Sequence, residues 1–443
     1  MDARILCTLC LQLLAGALVA FSKSSVCQLI GGTFFLSSAM HWTVVLINRY
    51  LNVSADSTYL EGNAIPVIIT DNKKCKEMLG GDRTHTGAGI PGIQEKLAAR
   101  ARPNFRLRLA FGIDNAFTTD DEVWYREFKK RVQCSLKAIS QERWHILARD
   151  ARSLATSKLQ RSASSPLVPL VQSITLRITL EAFFPKNPVR LRDQHIETVA
   201  GEINRVWMVS KDDPRSESWR CQLKLRDALA ELIPDAKVFE PRENPLNIIL
   251  PAYETMWRVV LRCFVEVWQR HVEWQGAFED LLRNPGASQA PGEGHNEARA
   301  FHAVKEAFRL YPPTRRVHRH YADPSTAKRV WEAADIETCH RSAEVWGPDP
   351  LVFNPGRWAN AHANLGASLL AFGAGDFTCP AKAGFGYRMA AILVAALLDA
   401  VGQGPWKLDM GNDEEELAEG VPMLSGRDAY VQAMLVRSEE ECR

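Results

Sequence analysis

The sequence predicts a mainly α-helical protein with small β-sheets, an α+β fold class. Amphipathic or buried helical periodicity occurs over residues 93–101, 120–149 and 191–209. Two denser apolar runs, Asn247 to His271 and Ala390 to Leu398, predict longer buried helices. Short segments typical of strands are found at Val67–Thr70, Val317–His320 and Tyr430–Val436. Helices therefore carry most of the predicted core.

The composition is that of a chain that can form a large core and shows no nucleic-acid signature. Of the 443 residues, 46% are hydrophobic and 24% are charged. The formal net charge of +2 is too small to indicate nucleic-acid binding, so no nucleic-acid partner is predicted. The ten cysteines are scattered along the chain, which is typical of a reducing compartment.

The N-terminus predicts a membrane anchor. Residues 5–21 form an almost uncharged apolar run, and residues 26–47 form a second one. Because about twenty apolar residues cross a bilayer, we expect one or two transmembrane helices within residues 1–50 and one folded domain over 51–443. A cleaved signal peptide is the alternative for the first run. Glycosylation of the Asn52-Val53-Ser54 sequon would contradict a cytosolic location of that domain.

The most informative segment lies near the C-terminus, from Phe372 to Ala381. Gly373 and Gly375 allow positive φ or a close approach of the backbone to a flat ligand. Cys379 follows this turn and precedes a helix-like run that Pro380 opens. A helix dipole there would favour the thiolate, which is the form that binds metal. Taken alone, the segment is equally typical of an inert buried thiol.

Two further segments precede the cysteine in the chain. Glu306 and Arg309 share one face of a predicted helix and can pair, and Pro312 and Pro313 end that helix. Taken alone, such a pair is more typical of a solvated surface. A stretch rich in proline and tryptophan, with little helix or strand periodicity, then runs from Trp346 to Trp358.

Together these segments resemble the C-terminal half of a cytochrome P450, a haem-thiolate monooxygenase. Phe372, Gly375 and Cys379 match the Phe, Gly and Cys of that family's haem-binding loop, F-x-x-G-x-R-x-C-x-G. The resemblance implies that Cys379 is the axial ligand of the haem iron. Two positions depart from the pattern. Phe377 stands where an Arg or His usually pairs with a haem propionate, and Ala381 replaces a Gly.

The resemblance also assigns roles to charged residues. Glu306 and Arg309 match the family's E-x-x-R helix, and Arg357 completes a Glu-Arg-Arg network whose role is structural. Trp124 resembles the Trp of a propionate-contacting W-x-x-x-R helix, although the Arg is missing and a solvated basic face is equally typical. Since arginine pairs strongly with carboxylates, other cations could hold the propionates. The nearest candidates in the sequence are Arg315, Arg316 and Arg319, of which Arg319 is assigned to cofactor binding.

The oxygen side of the haem is expected on the helix from Asn247 to His271. The segment from Pro251 to Thr255 resembles the family's [AG]-G-x-[DE]-T pattern, which implies catalytic proton delivery by Glu254 and Thr255. Pro251 would kink the helix and free a backbone carbonyl near Thr255. The alternative is a loop that ends at the proline, followed by an ordinary N-cap on the next helix.

The resemblance implies a haem-dependent monooxygenase that inserts one oxygen atom from O2 into a small apolar molecule. Haem (iron protoporphyrin IX) would be the cofactor, and electrons would come from NADPH through a separate NADPH-cytochrome P450 reductase. The motifs look like those of fungal secondary-metabolism enzymes, whose substrates are terpenoid or polyketide intermediates. The same resemblance implies tethering to lipid at the endoplasmic reticulum membrane, with the catalytic domain facing the cytosol.

Two other functions stay open at this point. One is a haem-thiolate isomerase or dehydratase that needs no external electrons, and the retained Glu254-Thr255 pair favours oxygenation over it. The other is a catalytically inactive, membrane-bound member of the same fold. The short segment before the oxygen-side helix and the substitution at Phe377 are the features that indicate it.

Overall fold

The computed structural model describes residues 65–438, apart from 88, 186–191, 213–217, 287–294, 323–328, 360–362, 425, 427 and 428. The chain divides into residues 1–64 and a compact unit of residues 65–443, and every described residue lies in the second. The predicted membrane anchor (1–50) and the Asn52 sequon lie outside the described residues.

Helices dominate the described unit. Several of them begin at a polar cap, as where the side chains of Asp71, Asp121 and Ser140 accept hydrogen bonds from first-turn N–H groups. In chain order the helices are α1 (Asn72–Gly80), α2 (Ile93–Phe111), α3 (Glu122–Lys137), α4 (Gln141–Gln160), α5 (Leu167–Phe183), α6 (Asp193–Asp212), α7 (Leu223–Leu232), α8 (Leu246–Tyr253), α9 (Met256–Gln269), α10 (Gln275–Arg283), α11 (His295–Leu310), α12 (Ile336–His340), α13 (Ala343–Trp346), α14 (Ala363–Ser368), α15 (Phe385–Gly402) and α16 (Glu414–Leu417).

One three-stranded sheet joins two distant parts of the chain. Its order is β1-β4-β3, with β1 at Val67–Ile69, β4 at Arg329–Asp335 and β3 at Arg316–Ala322. β1 runs parallel to β4, and β4 runs antiparallel to β3. The register places Arg319 opposite Glu332. Because side chains alternate along a strand, Arg319 shares the buried face of β3 with its neighbours two positions away.

A second sheet closes the C-terminal end of the described unit. Its order is β2-β6-β5 and all pairs are antiparallel, with β2 at Ser164–Pro166, β6 at Met434–Arg437 and β5 at Trp406–Asp409. The strand predicted to begin at Tyr430 begins four positions later. Tyr430 has a φ of +61°, in the left-handed region, so it belongs to the turn before the strand.

The helix boundaries differ from the predicted ones where a local polar contact intervenes. The helix predicted over 120–149 is two helices, α3 and α4, because Ser140 lies between them and caps the second. The helix predicted over 93–101 extends to Phe111 in α2 and contains Pro103. The helix ends at Gly112, whose φ of +60° lies in the left-handed region that glycine favours.

The single helix predicted from Asn247 to His271 is wrong. The structure has two helices, α8 and α9, which separate at Glu254 and Thr255. Pro251 lies inside α8, and a proline in a helix removes one backbone hydrogen bond and bends the chain. The break between α8 and α9 lies within one helical turn after Pro251.

Helix α15 is at the centre of the main core. It packs against α4, α9, α10 and α11, and most of its side chains are fully buried. Among the described residues it is the one helix long and apolar enough to cross a membrane, and 83% of it is buried inside the protein. Cys379 precedes it and packs at the edge of the same core.

Candidate functional site

The loop from Phe372 to Cys379 is a tight turn that lies on α1. Gly373 and Gly375 adopt φ values of +70° and +53°, in the left-handed region that glycine favours. A Cβ added to Gly375 would lie 3.0 Å from the Cα of Gly80, so the loop packs directly on the end of α1. The N–H of Cys379 donates to the carbonyl of Phe372 at 2.8 Å. This turn fixes the direction in which Cys379 leaves the loop.

Asp376 attaches the loop to two helices. Its carboxylate accepts a hydrogen bond from Lys96 Nζ of α2 at 2.9 Å. Its backbone carbonyl accepts from the Tyr125 hydroxyl at 2.8 Å and from Lys129 Nζ at 2.7 Å, both on α3. The loop is therefore held between α1, α2 and α3.

The environment of Cys379 differs from the expectation of a long helix directly behind it. Pro380–Ala383 form only a short 3-10 turn, and α15 begins at Phe385. Burial raises the pKa of the Cys379 thiol, whereas the N–H of Ala381 and the positive charge of Arg100 lower it. The expected lowering of the pKa by a helix dipole is wrong for the protein without a metal, because desolvation has the larger effect.

The structure brings Glu306, Arg309 and Arg357 together. Arg309 Nη2 and Nε donate to the two carboxylate oxygens of Glu306 at 2.7 and 2.9 Å. Arg357 Nε donates to Glu306 Oε1 at 2.8 Å, and Trp358 Nε1 donates to Oε2 at 2.9 Å. Glu306 and Arg309 are 0% exposed. A buried carboxylate with four such donors is fully satisfied, so this pair is not the solvated surface pair that its spacing alone indicated.

His340 connects this network to the cysteine loop, and no sequence motif marks it. The N–H of Leu370 donates to His340 Nε2 at 2.8 Å, which leaves the proton on Nδ1 to bond the carbonyl of Arg309 at 2.9 Å. Burial lowers the pKa of His340 to about 3, so the ring is neutral. His340 thereby connects Leu370, two positions before the loop, to Arg309 at the end of α11.

The three arginines after the double proline have different partners. Arg315 Nε donates to Glu337 at 2.8 Å and Arg316 Nε donates to Asp335 at 2.8 Å, so both charges are paired. Arg319 is 2% exposed, and within the described ranges it donates only to the backbone carbonyls of His318 and Leu79 while its Nε has no partner. Arg319 is therefore the buried cation of the three that is free to bind an added anion.

A second buried cation, Arg100 of α2, lies beside Arg319. Its guanidinium carbon is 4.4 Å from the ring centre of Phe117 and 4.6 Å from that of Phe377. The guanidinium carbon of Arg319 is 5.3 Å from the Phe377 ring centre. We call these four residues the arginine–phenylalanine stack, because cations and rings alternate in it.

The two cations of the stack have no carboxylate partner within the described part of the chain. Burial lowers the pKa of Arg100 to about 10 and that of Arg319 to about 9, and the charge of Arg100 lowers the second further. Two desolvated guanidinium groups beside one ring favour binding of an anion.

Sequence reasoning missed Arg100, although it selected Arg319. The alternation along β3, with Arg319 and Tyr321 buried and Arg316 exposed, was a usable signal for Arg319. No comparable signal marks Arg100, because α2 carries several arginines and only tertiary packing buries this one.

Trp124 is not available for the role that the W-x-x-x-R pattern implied. Its Nε1 donates to the carbonyl of Asp114 at 2.8 Å. The ring also packs against Phe128, with ring centres 5.8 Å apart. In this protein Trp124 is buried and holds the loop before α3. Arg126, Lys130 and Arg131 of the same helix are exposed, which agrees with the alternative of a solvated basic face.

Glu254 and Thr255 lie at the break between α8 and α9. The Thr255 hydroxyl donates to the carbonyl of Pro251 at 3.0 Å instead of capping α9. Such bonding from a Thr to the carbonyl four residues back bends a helix. Glu254 is 5% exposed, with Oε1 3.4 Å from Trp257 Nε1 and 3.7 Å from Arg258 Nε. Neither of the two alternatives for this segment, a plain kink or an ordinary N-cap, describes it fully.

One face of α8 is partly exposed although the residues around it are buried. The face consists of Ile248, Pro251 and Ala252 of α8 and of Thr255 just beyond its end, which follow the helical spacing i, i+3, i+4, i+7. Of these only Thr255 has a polar side chain. Such a stripe indicates a helix that borders an open space with a mostly apolar wall.

A separate cavity of about 430 Å³ is bounded by α4, α5 and the start of α6. It contains none of the predicted site residues. Its arginines are engaged with neighbouring groups, since Arg177 and Arg161 pair with Asp193 at 3.3 Å and Arg143 donates to the carbonyl of Glu181. This cavity has no unmatched charge that would favour an ionic ligand.

Comparison with known proteins places the fold. No protein-family model matches the sequence. Cytochrome P450 714B2 of Oryza sativa subsp. japonica is 29% identical over 157 residues, and cytochrome P450 4A11 of Homo sapiens is 34% identical over 86 residues, which cover 33% and 18% of this chain. The aligned segments span 28% and 16% of the two relatives' own lengths. The open structure of cytochrome P450 EryK from S. erythraea superposes with a TM-score of 0.52 at 15% identity, covering 89% of this chain and 96% of that chain.

The described unit has the cytochrome P450 fold, mainly helical with small sheets. The two curated cytochromes P450 are similar to this chain over part of its length only.

The residues of the site fit the haem that this fold implies. No group of three or more His, Cys, Asp or Glu that could hold a metal ion occurs among the described residues. Cys379 offers one thiol at the edge of the core. Arg100 and Arg319 offer two buried cations, and the unpartnered Nε of Arg319 is an orphaned donor of the kind an anion satisfies.

Proposed function

We propose that this protein is a haem-thiolate monooxygenase that inserts one oxygen atom from O2 into a small apolar molecule. The observation that carries the proposal is the arginine–phenylalanine stack next to the Cys379 loop. Haem supplies what both parts of the site lack, an iron for the thiol and two propionates for the guanidinium groups. Arg100 and Arg319 would then replace the cation that Phe377 displaces.

The proximal residues would hold the cofactor and its ligand. When bound, haem activates dioxygen, and thiolate ligation favours O–O cleavage. Cys379 would hold the haem iron through its sulfur, stabilised as a thiolate by the N–H of Ala381 and the charge of Arg100. The network of Glu306, Arg309 and Arg357 would keep the surroundings of the loop rigid, because its buried charges are satisfied within the protein.

The distal residues would deliver protons and receive the substrate. The Thr255 hydroxyl donates to a backbone carbonyl, so its oxygen remains able to accept a hydrogen bond from water. Glu254 lies next to it in the break and would complete the proton relay. The partly exposed face of α8 would form one apolar wall of the substrate pocket.

The partners in this proposal follow from the family resemblance. Electrons would come from NADPH through an NADPH-cytochrome P450 reductase. The protein would be anchored by residues 1–50 in the endoplasmic reticulum membrane, with its catalytic domain in the cytosol. The apolar wall of α8 agrees with a substrate of low polarity, such as a terpenoid or polyketide intermediate of fungal secondary metabolism.

The test is the spectrum of the reduced protein with carbon monoxide after reconstitution with haem. We expect the red-shifted Soret band of thiolate ligation, and we expect Cys379→Ser to abolish it. Cys134→Ser, in an exposed position on α3, is the matched control and should keep the band. Absence of the band in the haem-loaded unaltered protein would exclude the proposal. Oxygen consumption that depends on the reductase would then separate oxygenation from an electron-independent rearrangement.

A second prediction concerns proton delivery. Thr255→Val should lower product formation by at least about 10-fold and release more hydrogen peroxide per NADPH, because the hydroxyl is lost from the relay. Peroxide and NADPH are measured together with the reductase present. Thr175→Val, a fully buried threonine of α5, is the control and should leave the ratio unchanged. Equal ratios in the Thr255 variant and the unaltered protein would remove Thr255 from the mechanism.

A further inference from the structure

The bend in α8 is also stabilised by a residue from outside the helix. Pro251 has no N–H, so the carbonyl of Asn247, four residues earlier, lacks its helical donor. The side-chain amide of Asn115 donates to that carbonyl at 3.3 Å. Asn115 and Asn247 are 1% and 2% exposed, so the bond lies in the core. A carbonyl that the proline would leave unsatisfied is therefore satisfied by one side chain from a distant loop.

The loop that carries Asn115 fixes the orientation of this amide. Asn115 Oδ1 accepts from the N–H of Phe117 at 2.9 Å, and the N–H of Asn115 donates to Thr118 Oγ1 at 2.9 Å. The N–H of Asp114 donates to Asn247 Oδ1 at 3.0 Å, so the same loop also holds the side chain of Asn247. Because the amide oxygen is used within the loop, the amide nitrogen faces the helix.

Two side-chain donors thus act on carbonyls on the two sides of the bend. Asn115 donates to Asn247, and the Thr255 hydroxyl donates to Pro251. The first sets how far α8 opens at its proline, and the second places Thr255 on the turn that follows. A change at Asn115 would alter the bend and, through it, the location of the Thr255 hydroxyl.

We propose that Asn115 is a positioning residue that sets the location of the Thr255 hydroxyl through the carbonyl of Asn247. The inference rests on the proposed function, since Thr255 matters only beside a haem. It predicts a specific rescue, because Pro251→Ala returns a backbone N–H to the carbonyl of Asn247. With that N–H present, the amide of Asn115 becomes dispensable.

A neighbouring residue provides a natural control. Asn244 is 1% exposed and donates to the carbonyls of Phe111 at 3.0 Å and Gly112 at 3.1 Å. It holds the end of α2 and makes no bond to the carbonyl of Asn247. Loss of its amide should weaken the fold in the same region without affecting the bend.

The experiment uses the haem-loaded, reduced protein with carbon monoxide as the probe, and it measures the infrared C–O stretch, which responds to hydrogen-bond donors on the distal side. Asn115→Asp keeps the acceptor for Phe117 and replaces the donor with an oxygen. We expect Asn115→Asp to shift or split the C–O band, with the shift in the same direction as the shift in Thr255→Val. Asn244→Asp should leave the band unchanged. In the Pro251→Ala background, Asn115→Asp should produce at most about a third of the shift.

Hydrogen exchange in the haem-free protein gives a second readout. We expect Asn115→Asp to speed exchange of the α8 amides at least about 10-fold, and Pro251→Ala to restore slow exchange. Should Asn115→Asp not fold, Pro251→Ala alone still tests the inference, because its new amide at position 251 should be protected and the band should shift.

The results separate this inference from the proposed function. An unchanged band in Asn115→Asp, or equal shifts with and without Pro251→Ala, would overturn the inference while the thiolate-type band stands. If the unaltered protein gives no thiolate-type band, the proposed function fails and the inference fails with it.

Discussion

Two groups of buried charge in this protein are built in opposite ways. Around Glu306 the cations Arg309 and Arg357 meet a carboxylate of the same chain at 2.7 to 2.9 Å. In the arginine–phenylalanine stack, Arg100 and Arg319 both contact the ring of Phe377, and Arg319 also donates to backbone carbonyls. Neither cation has a carboxylate partner among the described residues. The difference agrees with a structural role for the first group, and it supports the proposal that the second group binds the anionic groups of a ligand.

The largest expected effect comes from a substitution that disrupts the first group, the network around Glu306. Glu306→Gln removes the negative charge and leaves Arg309 buried without a counter-charge, so the free energy of unfolding should fall by about 3–5 kcal/mol. Urea unfolding of the haem-free protein measures it. Glu122→Gln, in an exposed pair with Arg126 at 2.6 Å, is the control and should change stability little. Equal losses in the two variants would contradict the assignment of a structural role to Glu306.

A smaller effect concerns His340, which links the first group to the segment before the cysteine loop through Arg309 and Leu370. Its pKa in the folded protein is about 3, below the ordinary value of 6.5, so the unfolded chain binds the proton first as the pH falls. The stability from the neutral ring is complete above pH 6.5 and is lost between 6.5 and about 3. At pH 5 the loss should be about 2 kcal/mol.

His340→Gln tests this dependence. The variant should be less stable at pH 7, but its further loss between pH 7 and pH 5 should be smaller than that of the unaltered protein by about 2 kcal/mol. His145→Gln, at an exposed position of α4, should keep the full dependence. Parallel pH profiles for the unaltered protein and the His340 variant would show that other groups cause the acid sensitivity.

The smallest expected effect comes from a substitution in the second group, the arginine–phenylalanine stack. Arg100→Met should leave the haem-free protein as stable as before or more so, because an unpaired buried charge is removed. Haem affinity should fall about 10-fold, or about 1.4 kcal/mol. Transfer of haem to excess apomyoglobin measures the loss. Arg315→Met removes a cation that is already paired with Glu337, and it should retain haem like the unaltered protein. Faster loss of haem from the Arg315 variant than from the Arg100 variant would contradict the proposed role of Arg100 in haem binding.

The features that could be predicted from the sequence are those set by short, local segments. The turn before Cys379 follows from two glycines, and the spacing of Glu306 and Arg309 places them on one helix face. The strand around Arg319 was also predicted, and its alternation explains why that arginine is buried.

The features that were missed depend on contacts between distant segments. Arg100 is buried only because α2 packs beside the cysteine loop, and His340 acquires its role from a carbonyl of α11 and an N–H before the loop. The bend at Pro251 was expected, but the donor that satisfies Asn247 comes from residue 115. The pKa of Cys379 was predicted in the wrong direction, because α15 begins beyond a 3-10 turn and burial dominates.

The arginine–phenylalanine stack would make the stability of the protein in a cell depend on haem. Two like charges lie beside the same Phe377 ring and repel each other, and bound propionates would remove this repulsion. A ligand that binds only the folded state raises its stability in proportion to the logarithm of the free ligand concentration. Newly made chains would therefore resist proteolysis only once haem is supplied, and the amount of this protein would follow the haem supply of its host.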